Sequence, residues 1–83
     1  MENRVAIISI IVENQESVAA LNEILHNFGQ YILGRMGIPY ANRNLGIISV
    51  ALDAPTDIIS SITGKLGMLP GVSAKSLMAK HAK

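Results

Sequence analysis

The chain has 83 residues, seven Lys or Arg against six Asp or Glu, a formal charge of +1 and no cysteine. That length leaves room for one domain, and the cysteine count excludes disulfides and thiolate metal sites and gives no sign of an oxidising compartment. So small a charge gives no electrostatic case for nucleic acid. A chain of this size buries only about 60 to 65% of its unfolded surface, so its stability is marginal, and without disulfides the common remaining remedy is oligomerisation. The start Met1-Glu2-Asn3-Arg4 lacks the basic region and cleavage site of a secretion signal. No apolar stretch approaches the roughly 18 residues of a membrane span. The expectation is a cytoplasmic protein without membrane contact.

Val5 to Val12 is rich in β-branched residues and too short for an average helix, which predicts a strand. Apolar residues then move to Val18, Leu21, Leu25 and Phe28, a spacing near 3.6, which predicts a helix from Gln15 to Phe28 with Asn14 as its cap and Gly29 as its stop. Tyr31 to Met36 reads as a second strand and Gly37 to Asn44 as a connecting loop. Leu45 to Asp53 is the third strand. Pro55 presets a helix start, and Ile58 or Ile59, Ile62, Leu66 and Leu69 supply the apolar stripe of a second helix. Gly64 and Gly67 weaken that helix and should fray it after about Leu66. Pro70-Gly71 turns the chain into a last strand near Val72 to Ala79.

The order βαββαβ predicts an α+β, ferredoxin-like sandwich over residues 1–83, a four-stranded antiparallel sheet with two helices on one face. Right-handed crossovers place the first and third strands in the middle and the second and fourth at the edges. An internal echo supports two similar halves, because Ile7-Ile8-Ser9-Ile10-Ile11-Val12-Glu13 returns forty residues later as Ile47-Ile48-Ser49-Val50-Ala51-Leu52-Asp53. Val18 matches Ile58 at the same offset. Gly29 and Met36 match Gly71 and Met78 at an offset of 42, which predicts about two extra residues in the second half.

An antiparallel sheet covered on one side should alternate apolar and polar residues. These central strands do not. Val5, Ile7 and Ile11 point to one face while Ala6, Ile8, Ile10 and Val12 point to the other, and Ile47 and Ile48 repeat the conflict. Two helices cover one face, which leaves an apolar footprint on the order of 400 Å², near the largest patches tolerated on monomers. Burying it would contribute up to about 10 kcal/mol per subunit before association costs. The expectation is a homo-oligomer, dimer or tetramer, built by packing sheet faces of identical chains. The alternative is a monomer whose uncovered face is softened by Ser9, Ser49, Ser73 and Ser76.

The segments Gly34-Arg35-Met36-Gly37-Ile38-Pro39-Tyr40, Leu52-Asp53-Ala54-Pro55-Thr56-Asp57 and Gly64-Lys65-Leu66-Gly67-Met68-Leu69-Pro70-Gly71-Val72 resemble those of the iron-only hydrogenase system regulator family. The resemblance spans nearly the whole chain. That family is similar to ACT-like regulatory domains and to the ligand-binding domain of nickel-responsive repressors. It implies a regulatory module that oligomerises, with a small-molecule effector held near loops at a subunit interface.

Two loops are candidates for such an effector. Taken as parallel, the two central strands would bring both helix starts to one end of the sheet, gathering Glu13, Asn14 and Gln15 with Asp53, Ala54, Pro55 and Thr56. Glu13, Glu16, Asp53 and Asp57 at that end would disfavour an anion and tolerate a cationic or amino-bearing ligand. The same carboxylates could instead serve free N–H groups at the helix starts. The glycine that lets ACT loops close over an amino acid is absent between Val12 and Ser17. The other candidate is the loop with Arg35, Tyr40, Asn42 and Arg43, whose guanidiniums suit a carboxylate or phosphate, or whose Tyr40 packs on a neighbouring subunit.

A nickel site of the repressor kind needs several imidazoles and usually a thiolate. The chain offers His26 and His81, so neither metal nor cofactor is expected. His26 suits the end of the first helix, and His81 lies with Lys75, Lys80 and Lys83 in what reads as a solvated tail. The sequence shows no DNA-binding ribbon or recognition helix, so direct DNA binding by this chain alone is not expected. Ser9, Ser49, Ser60 and Ser61 lack a His and a carboxylate at nucleophile spacing, and Gly64-Lys65-Leu66-Gly67 does not fit a phosphate loop. No enzymatic activity is expected. Two readings survive, an oligomeric module that senses a small molecule and an assembly module that docks a protein partner without one.

Overall fold

A computed structural model describes residues 2–80. In chain order, β1 is Asn3–Val12, α1 Val18–Asn27, β2 Ile32–Tyr40, β3 Leu45–Pro55, α2 Thr56–Gly67 and β4 Val72–Met78. Short 3-10 turns at Gln15–Ser17, Gly29–Tyr31 and Ala41–Arg43 join them. The sheet order is β2-β3-β1-β4 and every pairing is antiparallel. This is the ferredoxin-like, ACT-like α+β plan, with β1 and β3 in the middle.

The helices cover one face. Ala6, Ile8, Ile10 and Val12 from β1 and Val50, Leu52 and Ala54 from β3 are buried there against Leu21 and Leu25 of α1 and Ile59, Ile62 and Leu66 of α2. Seven of the buried aliphatics, Ile8, Val50, Leu52, Ala54, Ile59, Ile62 and Leu66, have no exposed surface. Each would contribute about 1.5–3 kcal/mol of burial free energy if it is a Val, Leu or Ile.

Several boundaries differ from the sequence reading. The predicted first helix begins with the separate turn Gln15–Ser17, in which the Asn14 side chain accepts from the Glu16 N–H at 2.9 Å. The expected loop after Met36 is strand as far as Tyr40. Pairing with β3 decides this, since Gly37 to Tyr40 face Ile48 to Leu45 in unbroken register. Pro39 is tolerated because β2 is an edge strand. The second helix, by contrast, ends at Gly67, in agreement with the expected stop after about Leu66, which is wholly buried.

The central strands are antiparallel, which corrects the parallel reading. Asn3 lies opposite Pro55 and Val12 opposite Gly46, so the turn after β1 and the start of α2 are at opposite ends of the sheet. The echo has the same geometry. Ser9 and Ser49, equivalent in the repeat, are direct partners in the ladder, so the halves are related by an approximate two-fold axis normal to the sheet through that pair. Such an axis keeps each residue on its face: Ile8 and Ile48 both turn to the helices and Ile7 and Ile47 both away.

The offset of forty persists into the edge strands, where Ile32 sits beside Leu52 and Val72 beside Val12. A bulge between Ile32 and Gly34 then adds a residue to the first half. Lys75, opposite Ser9, thus takes the place of Met36, opposite Ser49. The expected extra residues of the second half are absent, and Met36 and Met78 are not equivalents.

The turn after α2 is tied to the turn after β1. The Glu13 N–H donates to the Gly71 carbonyl at 2.7 Å and the buried Ser17 hydroxyl to the Pro70 carbonyl at 2.6 Å. Gly71 has φ +70°, and a Cβ there would stand 2.7 Å from the Asn14 Cβ and 3.0 Å from its nitrogen. Only glycine meets both demands.

Candidate functional site

The face of the sheet away from the helices is apolar. Val5, Ile7 and Ile11 of β1, Ile47 of β3, Met36, Ile38 and Tyr40 of β2 and Leu77 of β4 are between 40% and 72% exposed. Ser9, Ser49, Ser73 and Lys75 share that side by register. The two-faced pattern read from β1 and β3 is therefore present, and the edge strands extend it.

The helix side of β2 is open as well. Arg35, Gly37 and Pro39 lie opposite Val50, Ile48 and Gly46, the helix-facing row of β3, yet all three stay exposed. A crevice runs there between β2 and α1. One part, of about 280 Å³, is lined by Val12, Val18, Gly37, Leu45, Gly46 and Ile48 among others, with Gln15 and Arg35 as its polar side chains. The next part, of about 350 Å³, is lined by Asn22, Leu25, His26, Gly29, Ile32 and again Arg35. Asn22 Oδ1 accepts from Arg35 Nη2 at 3.2 Å.

The candidate residues are divided by this geometry. Glu13, Asn14, Gln15, Tyr40 and Arg43 fall at one end of the sheet, whereas Asp53 and Thr56 fall at the other. The expected cluster of four acids at one end does not form, because an antiparallel pair sends Glu13 and Asp53 in opposite directions. Glu13 and Arg43 both line a shallow depression of about 230 Å³, with Asn44 and Leu45. Arg35 and Tyr40, expected on one loop, point to opposite faces of β2, since a strand alternates where a loop need not. Asp57 follows the capping reading, its Oδ1 accepting from the Ile58 N–H at 2.9 Å.

Reasoning from sequence missed Asn22, His26, Gly37 and Gly46 as walls of the crevice. One signal was available: Asn22 and His26 are one helical turn apart and so share a face. Among the described residues, no three His, Asp or Glu side chains come together as a metal site would need. Among those residues, likewise, no helix is long and apolar enough to cross a membrane. Lys75 belongs to β4 rather than to a tail, and His81 and Lys83 lie outside the described residues.

Fold and surfaces together describe a small ACT-like module with one open sheet face and one lateral crevice. Residues 4–76 match the model of the TM1266-like family, described as "Iron-only hydrogenase system regulator, putative", and the chain belongs to that family. It is similar to the uncharacterized protein TM1266 from Thermotoga maritima, with 38% identity and a TM-score of 0.91 over 95% of this chain and 100% of that one. The C-terminal domain of the MgtC protein from Mycobacterium tuberculosis shares the fold at 13% identity and a TM-score of 0.69, covering 96% of this chain and 92% of that one. So does part of a formyltetrahydrofolate deformylase from Pseudomonas putida KT2440, at 12% identity and 0.66, covering 93% of this chain and 29% of that one. No curated protein matches the chain.

Proposed function

We propose that the chain is a non-enzymatic, cytoplasmic regulatory module that self-associates through its open sheet face, senses a small molecule and acts within an iron-only hydrogenase system. The observation that carries this reading is the exposed, largely apolar face formed by Val5, Ile7, Ile11, Met36, Ile38, Ile47 and Leu77, crossed at its middle by Lys75, Ser9 and Ser49. Four strands about 4.8 Å apart and some eight residues long give a footprint on the order of 500 Å². Two such faces together bury about 1,000 Å², the lower bound for a specific interface. The family description supplies the regulatory context and the hydrogenase system.

Light scattering at micromolar concentration tests the assembly, with twice or four times the 8.9 kDa chain mass as the expected result. A thermal-shift screen tests sensing, since a ligand of the native state raises the melting temperature with its concentration. A monomer that is silent across metabolites yet co-purifies with one specific protein would replace this reading with that of an assembly module.

A further inference from the structure

We propose that the crevice between α1 and β2 binds a small monocarboxylate with a short branched apolar body and no amino group. This deepens the sensing reading by naming its site and ligand class. The crevice exists because two positions on its sheet wall have no side chain. A Cβ at Gly37 would meet nothing within 4 Å, and one at Gly46 would reach only the Val12 Cβ at 3.6 Å. Gly37 on the edge strand and Gly46 on β3 both face the helix side, where Ile8, Ile10, Val12, Ile48, Val50 and Leu52 of the central strands are large and packed. At about 280 Å³ the space is smaller than the roughly 300–1,000 Å³ that houses drug-sized ligands, and its walls are aliphatic.

The charge is set by Arg35. Of the described residues lining the two parts of the crevice, none is Asp or Glu, and Arg35 lines both parts. Its guanidinium is steadied by Asn22 through one hydrogen bond and keeps further N–H donors for a ligand. A carboxylate meets that fork in a two-pronged, charge-assisted contact. An α-ammonium group would find no acid in the crevice, so an amino acid fits less well than its deaminated analogue. The acids Glu13, Glu16, Asp53 and Asp57, which favoured a cationic ligand in the sequence, do not line this wall.

Isovalerate is the probe, compared with valine, which adds an α-ammonium, and isovaleramide, which removes the charge. Titration followed by amide NMR should show saturable shifts at Val18, Gly37 and Gly46 with isovalerate, and at least tenfold weaker binding of the other two. Arg35→Gln should weaken isovalerate at least tenfold. Gly37→Val should abolish its binding without lowering the melting temperature, because the added methyls enter open space. Absence of saturable isovalerate binding, or equal binding by both variants, overturns the proposal. If another metabolite then raises the melting temperature without moving Gly37 and Gly46, sensing stands and only this site falls. Silence to every metabolite removes both.

Discussion

Gly71 shows how much one residue can settle. Its φ of +70° and the 2.7 Å approach to Asn14 Cβ predict that Gly71→Ala costs about 2–3 kcal/mol through backbone strain and overlap. Urea unfolding would measure it, and a loss below half a kilocalorie would mean that the turn relaxes freely. The glycine was visible in the sequence as half of a Pro-Gly turn, but the need for it comes from Asn14, 57 positions earlier in the chain. Arg35 teaches the converse. Its residue type suggested an anion site, yet its partner on α1, Asn22, is a product of packing.

At the level of elements, α2 combines poor local propensity with strong burial. Gly64 is exposed and a Cβ there meets nothing within 4 Å, so Gly64→Ala should raise stability by up to about 1 kcal/mol. Leu66 has no exposed surface, and Leu66→Ala should lower it by about 2–5 kcal/mol. Thermal unfolding of the two variants should therefore move in opposite directions. Periodicity located both helices and all four strands, since amphipathic spacing is a local property. It misjudged β2, where Gly37 to Tyr40 look like loop residues and become strand only because β3 offers them a ladder.

For the whole molecule, the uncovered sheet face makes the decisive prediction. Ile7 and Ile47 are already 41% and 40% exposed, so Ile7→Lys or Ile47→Lys should leave the subunit folded by circular dichroism while reducing the mass found by light scattering to that of one chain. The pair are equivalents about the approximate two-fold axis through Ser9 and Ser49, so the two substitutions should act alike. An assembly that survives both would place the contact elsewhere. Because the side chains of that face are mostly apolar, moderate salt should change the proposed assembly little.

By itself the sequence determined the order of elements, the place of β1 and β3 in the middle of the sheet, and the excess of apolar residues on both its faces. Those follow from periods of 2 and 3.6 and from crossover handedness, which are written along the chain. Tertiary structure alone decided which residues meet. Antiparallel pairing separated Glu13 and Thr56, alternation along β2 parted Arg35 from Tyr40, and the absent side chains of Gly37 and Gly46 opened a crevice beside α1. Each depends on the relation of one strand to its neighbour, and that relation is set by register, which no local run of residues contains.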